Sequence, residues 1–197
     1  FRRVQSLAIH AALPQLKQLS VTEADTVSIA ADHMQLSRLS QLTLSDVKSA
    51  ALDYLALPGL VALHVGCQEE VAKVLPALGG LTSLTVDCPC RVPWEAVSRV
   101  LVAAPPTLRH LHLDGYRGLD WDELPHLQCM AQLTSLALSS PEVLAYLGPL
   151  TQLQQLEFPS IVLDEMTLDD VEWISGMTGL RMLRFDGWLD KEASYIW

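Results

Sequence analysis

The sequence of 197 residues predicts an α/β solenoid, in which short parallel strands alternate with helices or turns. Three observations predict this fold class. An apolar hexapeptide recurs along the whole chain, and corresponding positions in successive copies are 20 to 27 residues apart. Half of the residues are hydrophobic, which is enough to fill one continuous core. We therefore expect residues 1–197 to form one domain.

The hexapeptide has the pattern Leu-x-x-Leu-x-(Leu, Val or Phe). Its eight copies begin at Leu16, Leu39, Leu60, Leu81, Leu108, Leu133, Leu153 and Leu180. Successive side chains of a strand point to opposite faces, so the last two apolar residues of a copy face inward and the residue between them faces outward. One unit cannot bury its leucines alone, but stacked units can. Each copy therefore predicts one short strand, parallel to its neighbours.

On this motif and its spacing the chain resembles the leucine-rich repeat family, with a solenoid similar to that of ribonuclease inhibitor. The resemblance covers essentially the whole chain. It implies a right-handed horseshoe of about eight repeats, with strands on the concave face and helices or 3-10 turns on the convex face. The family usually places an asparagine three residues after the last apolar residue of the motif, and this chain contains none. The backbone groups of its turns must find other partners.

Three of the segments between strands are predicted to be helical. The segment 93–101 has a proline at an early position, and the segment 167–174 begins with Thr167 as a cap followed by acidic residues. A short helix is also predicted to begin at Ser140. All three are expected on the convex side.

The outward positions of the strands predict a binding surface, because in this family partners usually bind on the concave face. The candidate contact residues are His64, Thr85, Asp87, His110, His112, Asp114, Tyr116, Arg181, Arg184 and Trp188. Arginine and the aromatic residues are included because they dominate binding energy in many interfaces. The spacing of the copies predicts that Asp87 lies beside Asp114 and that His64 and His112 are two strands apart.

The cysteines allow several interpretations. Cys67 and Cys88 occupy equivalent positions of neighbouring repeats, and they are thiol neighbours, a disulfide or metal ligands. The sequence Cys88-Pro89-Cys90 lacks the Cys-x-x-Cys spacing of zinc knuckles and thioredoxin-like sites, so a strand exit is its default interpretation. No wider cysteine framework is evident. We therefore expect free thiols and an intracellular, reducing compartment, the cytoplasm in the first place.

Charge is unevenly distributed along the chain. Residues 1–113 contain equal numbers of acidic and basic side chains, so residues 114–197 carry the entire net charge of −10. A negative surface repels phosphates, and we expect no binding of nucleic acid. The acidic end is either a solvated surface or a contact for a basic protein. The uncharged run 74–86 falls short of the roughly 18 residues of a membrane span, and no membrane insertion is expected. Because Phe1 is not an initiator methionine, we expect the chain to be part of a longer protein.

Motifs of catalysis are missing from the sequence. It contains no Gly-x-Ser-x-Gly, His-Glu-x-x-His, phosphate-binding loop or Gly-x-Gly-x-x-Gly. The predicted function is therefore a non-catalytic protein-interaction module, or a scaffold subunit of an assembly, with no cofactor and no metal. Two alternatives stay open. One, by analogy of fold, is the substrate-recognition segment of a ubiquitin-ligase adaptor. The other is a metal-binding or enzymatic site at the His, Asp and Cys residues of the central repeats.

Overall fold

The chain folds into strands that pair in two parallel sheets. The computed structural model describes residues 4–9, 13–29, 36–52, 57–67, 69–88, 94–115, 130–139, 147–162 and 174–188. The strands in these ranges are β1 (Val4–Ile9), β2 (Gln18–Thr22), β3 (Ala24–Ile29), β4 (Gln41–Ser45), β5 (Ser49–Leu52), β6 (Ala62–Gly66), β7 (Ser83–Asp87), β8 (His110–Asp114), β9 (Ser135–Leu138), β10 (Gln155–Val162) and β11 (Met182–Trp188).

Eight strands form the main sheet, in the order β11-β10-β9-β8-β7-β6-β4-β2, and every neighbouring pair is parallel. Each of these strands begins two residues after the first leucine of one hexapeptide copy. The prediction of parallel strands stacked in chain order is therefore confirmed. The curvature of a horseshoe and the number of complete repeats stay predictions.

A regular pattern of hydrogen bonds joins each unit to the next. In all eight copies the N–H of the first leucine donates to the carbonyl three residues earlier, at 2.9 to 3.2 Å. The residue just before each strand then accepts two hydrogen bonds at its carbonyl, at 2.8 to 3.1 Å. The donors are the N–H of the residue before the next strand of the main sheet and the N–H of the first residue of that strand. The accepting carbonyls are those of Lys17, Ser40, Val61, Thr82, Arg109, Thr134 and Gln154. These bonds set the register of the main sheet before its strands begin.

The second sheet has three strands, in the order β1-β3-β5, and sequence reasoning missed it. The expectation was that only helices or turns follow the strands of the main sheet. In β3, however, Val27 and Ile29 alternate with polar residues and are buried, and β-branched side chains favour a strand. The chain enters β3 through Glu23, at φ 57°, and reaches β5 after Asp46, at φ 52°. These two left-handed residues turn the chain sharply at the end of β2 and of β4.

The inward leucines form one continuous core. Leu81, Leu84 and Leu108 are fully buried, and the corresponding residues of most other copies are equally enclosed. Leu183 of β11 is an exception to the predicted inward burial, with 38 % of its surface exposed. Within the described residues β11 is an edge strand of the main sheet, so Leu183 has a neighbouring strand on one side only.

Two α-helices lie between strands of the main sheet in the described residues. Helix α1 (Glu69–Val74) continues into a 3-10 turn at Leu75–Ala77, and helix α2 (Trp94–Ala103) packs against α1. The predicted helix 93–101 is confirmed and ends two residues later than expected. The other predicted helices, at 167–174 and from Ser140, lie outside the described residues apart from the helical Ile174.

Candidate functional site

The outward residues of the main sheet form one continuous row, with the predicted register. At the centre of each strand the paired residues are Ser20, Thr43, His64, Thr85, His112, Ala137, Glu157 and Arg184. Asp87 pairs with Asp114, as expected, and one strand separates His64 from His112. Neighbouring strands are about 4.8 Å apart, so these two histidines are separated by roughly 10 Å along the row.

A hydrogen-bonded network centred on Asp87 joins three strands. Nε2 of His64 lies 2.7 Å from Oδ1 of Asp87, and the hydroxyl of Ser45 donates to Oδ2 of the same carboxylate at 3.3 Å. An ionised carboxylate only accepts hydrogen bonds, so Nε2 of His64 carries the proton that it donates. About a third of each side chain of the His64 and Asp87 pair is exposed. The network therefore presents fixed polar groups at the surface.

Gly66 lies at the centre of this network and has no side chain. It pairs with Asp87 of β7, and on its other side it lies beside Ser45 of β4, because the preceding residues Val65 and Leu44 are paired. No side chain of β6 therefore stands between Ser45 and Asp87 in the row at the strand ends. His64 and Asp87 are among the contact residues predicted from the sequence, and Ser45 is not. The glycine between two polar residues of one row was the signal that would have revealed it.

Strand β8 adds three candidate residues beside this network. His110 and Asp114 are exposed, and His112 is half buried. Nε2 of His112 is shielded from solvent, and no hydrogen-bond partner for it is found among the described residues. His110 and Asp114 are therefore the accessible groups of this strand. Thr85 of β7 is half buried and lies between His64 and His112 in the central row.

The remaining candidates lie away from the centre. Strand β11 is three strands from β8, which is roughly 14 Å. There Arg184 is exposed and its Nε lies 2.7 Å from Oδ2 of Asp186, while Arg181, just before the strand, is exposed. Trp188 ends β11 and its backbone pairs with Val162, and Tyr116 lies outside the described residues. The structure thus does not bring Arg181, Arg184 and Trp188 to the central histidines and aspartates.

Backbone carbonyls accept the first N–H groups at two of the strand exits. The N–H of Cys67 donates to the carbonyl of Asp87 at 2.9 Å, and that of Cys88 donates to the carbonyl of Asp114 at 2.7 Å. At the next unit a side chain serves instead: the N–H of Gly115 donates to Oγ of Ser139 at 3.1 Å. Ser139 is buried, and sequence analysis did not single it out as a structural residue.

Cys67 and Cys88 are free thiols in the structure. Their side chains hydrogen-bond to each other. This bond lowers the pKa of Cys67, although the partial burial of Cys67 acts in the opposite direction. The same bond raises the pKa of Cys88 far above its ordinary value, and burial and the charges of Cys67, Asp87 and Asp114 raise it further. The sequence left three interpretations open for Cys67 and Cys88. In the structure they are neighbouring thiols, not a disulfide.

The central polar groups hydrogen-bond to one another. The hydroxyl of Ser45 donates to the carboxylate of Asp87 and not to an imidazole, which differs from the serine–histidine contact of a Ser-His-Asp triad. Both carboxylate oxygens of Asp87 are engaged. Among the residues that the structure describes, no group of three or more His, Cys, Asp or Glu side chains is placed to hold a metal ion.

Comparisons with known proteins add one similar fold. No protein-family model and no curated protein matches this chain. Among solved structures, the chain is similar to internalin C2 from Listeria monocytogenes str. 4b F2365. The two are 16 % identical, the match covers 87 % of this chain and 72 % of that chain, and the TM-score is 0.46. The description of this chain as a leucine-rich-repeat-like solenoid rests on its own strand order and motif spacing. In the described part of the chain, no helix has the length and apolar character to cross a membrane.

Proposed function

We propose that this chain is a non-catalytic protein-interaction module whose partner binds the outward face of β4, β6, β7 and β8. The observation that carries the proposal is the network of His64, Asp87 and Ser45. Its polar groups are held on three strands of one sheet, above leucines that are fully buried. Groups that are ordered before binding lose little conformational entropy when a partner arrives.

The chemistry of this face favours a partner with basic side chains. Asp87 and Asp114 lie side by side, and Asp114 is exposed. Glu157 adds a half-buried carboxylate two strands further along the row. A lysine or arginine of a partner would meet these acceptors, and the net charge of −10 would speed the approach of a basic surface.

The residues at β11 form a second proposed contact region. Arg181 is exposed, whereas the guanidinium of Arg184 is already paired with Asp186 within the same strand. A partner carboxylate would have to compete with Asp186 for Arg184. We assign Arg181, Arg184 and Trp188 to the periphery of the interface for this reason. The main proposed contacts are His64, Thr85, Asp87, His110, His112 and Asp114, and Tyr116, which lies outside the described residues, stays a candidate from the sequence alone. The free thiols of Cys67 and Cys88 support a reducing, intracellular location.

Quantitative affinity capture tests the proposal. The chain is used as bait, and captured proteins are compared by mass spectrometry between the wild type and a His64→Ala, Asp87→Asn, Asp114→Asn variant. A Val102→Ala variant is the matched control, because Val102 is 63 % exposed on helix α2, away from the main sheet. Circular dichroism checks that both variants are folded.

The expected result is at least one protein that the wild type and the Val102→Ala variant retain and that the triple variant loses about tenfold, which corresponds to ~1.4 kcal/mol. Direct titration of that protein against the three baits confirms the difference. Equal capture by the folded triple variant and the wild type would discard this face as the binding site.

A further inference from the structure

The two thiols at the exits of β6 and β7 are placed where a disulfide can close. Cys67 and Cys88 each follow directly on the paired residues Gly66 and Asp87, so they are the next opposed pair of two parallel strands. Such strands are about 4.8 Å apart, and disulfides join Cα atoms roughly 4.4 to 6.8 Å apart. Each thiol shifts the pKa of the other, so the two side chains are close neighbours. Little movement is needed to bring the sulfurs together.

The two thiols differ in a way that assigns them separate roles. Cys67 is half buried, whereas only 1 % of the surface of Cys88 is exposed. The hydrogen bond from Cys88 stabilises the thiolate of Cys67 and lowers its pKa. A thiolate is the reactive form of cysteine, and a reagent in solution reaches the more exposed sulfur first. Cys67 is therefore the thiol that reacts first with an external reagent, and Cys88 is the thiol that then attacks Cys67.

We propose that Cys67 and Cys88 form a redox-active dithiol that low-molecular-weight disulfides oxidise to an intramolecular disulfide. In the first step the Cys67 thiolate attacks one sulfur of the small disulfide. A mixed disulfide forms on Cys67, and one small thiolate leaves. In the second step Cys88 loses its proton and attacks Sγ of Cys67, and the second small thiolate leaves. The protein loses two electrons and two protons in total, and the small disulfide becomes two thiols.

The first step removes the main cause that keeps Cys88 protonated. The largest contribution to the raised pKa of Cys88 is its hydrogen bond to Cys67. Once Cys67 is a mixed disulfide it carries no negative charge, so this hydrogen bond no longer holds the proton on Cys88. Burial and the charges of Asp87 and Asp114 still oppose its ionisation. The carbonyl of Val86, 3.7 Å from Sγ of Cys88, is a second acceptor for its proton. The second step is therefore slower than the first.

The disulfide would lock two neighbouring units together beside the Asp87 network. It would close a loop that contains helix α1 and strand β7. Closing a loop of this size stabilises a protein chiefly by restricting its unfolded chain. Oxidation is therefore expected to raise the Tm by about 5 °C, and dithiothreitol is expected to reverse the shift.

The test uses the full chain with Cys90→Ser and Cys129→Ser, so that Cys67 and Cys88 are its remaining thiols. The protein is incubated with oxidised glutathione, its free thiols are then alkylated, and peptides are mapped by mass spectrometry. The expected product is a Cys67–Cys88 disulfide. With Cys88→Ser added, glutathione is expected to remain on Cys67 as a stable mixed disulfide. With Cys67→Ser added, Cys88 is expected to react at least about tenfold more slowly.

Two results would overturn the proposal. One is a folded protein in which both cysteines stay fully alkylatable after the incubation. The other is faster glutathione addition at Cys88 in the Cys67→Ser variant than at Cys67 in the Cys88→Ser variant. Neither measurement involves a binding partner, so the outcome is independent of the proposed function.

Discussion

Nε2 of His64 lies 2.7 Å from Oδ1 of Asp87, and this contact joins the outward surfaces of two neighbouring strands. The pair is diagonal, because His64 is opposite Thr85 and Asp87 is opposite Gly66. Diagonal neighbours in a sheet touch only when their side chains are long enough and nothing stands between them. The histidine side chain is long enough to span this diagonal and reach the carboxylate.

The first prediction concerns the energy of this contact. A double-mutant cycle of His64→Ala and Asp87→Ala is expected to give a coupling free energy of ~0.5 to 1 kcal/mol, because both side chains are about a third exposed and water competes for them. Chemical denaturation of the four proteins measures it. If the two single changes are additive within error, the two side chains do not interact in solution.

The second prediction compares two leucines at the same motif position. Leu84 is fully buried and Leu183 is 38 % exposed. Leu84→Ala removes close contacts on all sides and is expected to lower the free energy of unfolding by ~2 to 5 kcal/mol. Leu183→Ala is expected to cost less than about half as much, because water already reaches this side chain. Urea denaturation of both variants measures the difference, and equal losses would contradict the burial described for β11.

The third prediction concerns the turn after β8. Gly115 has φ 75°, and a Cβ added there would lie 2.9 Å from the carbonyl oxygen of Cys88. Gly115→Ala is therefore expected to cost ~1 to 3 kcal/mol of stability. Gly79→Ala is the control, because a Cβ at Gly79 meets nothing within 4 Å. Thermal melts of both variants distinguish them, and a Tm for Gly115→Ala as high as that of the control would contradict the prediction.

The fourth prediction concerns Ser139, whose side chain is buried at the exit of β9. Its Oγ accepts the N–H of Gly115 and lies 3.5 Å from the carbonyl oxygen of Leu113. Ser139→Ala removes both contacts from a buried place and is expected to cost ~1 to 3 kcal/mol. Ser135→Ala, on the outward side of the same strand, is expected to change stability by less than about 0.5 kcal/mol. Denaturation curves of the two variants decide between a structural and a dispensable serine.

The fifth prediction concerns the pH dependence of Cys67. Its pKa is lowered by the hydrogen bond from Cys88, so its thiolate is present at lower pH than that of an ordinary cysteine and is lost as pH falls through the lowered pKa. Alkylation rates against pH, in the Cys90→Ser, Cys129→Ser background, are expected to show a midpoint below that of the unfolded chain. Cys88→Ala removes the donor and is expected to raise the midpoint. An unchanged midpoint in that variant would mean that Cys88 does not stabilise the thiolate.

The strands of the main sheet could be predicted from the sequence because one physical constraint repeats. Each copy must bury the same leucines, and this alone places Leu84 inside and Asp87 beside Asp114. Other features depend on what stands next to a residue in space. The bond from Ser45 to Asp87 requires the gap at Gly66, and the exposure of Leu183 follows from its place on an edge strand. Neither is visible when each motif position is read separately.

The second sheet escaped prediction for a related reason. Sequence reasoning assumed that the segments behind the main sheet are helices or turns, as in segment 93–101, where the structure has α2. In β3 the alternation of Val27 and Ile29 with polar residues indicates a strand, but the segment follows β2 after a single residue, Glu23. A one-residue turn between β2 and β3 requires a left-handed backbone at Glu23. Glutamate rarely adopts this conformation, so the sequence does not indicate the turn.

The hydrogen bonds just before each strand allow the segments behind the main sheet to vary in length without disturbing its outward row. Every unit is joined to the next by the same carbonyl contacts just before its strand, although successive units differ in length from 20 to 27 residues. Insertions and deletions behind the strands therefore leave the spacing of the outward row unchanged, and such length changes cost little when they fall in surface loops. One side of this protein can vary in length while the outward row keeps a constant spacing, so the proposed binding face can change by substitution alone.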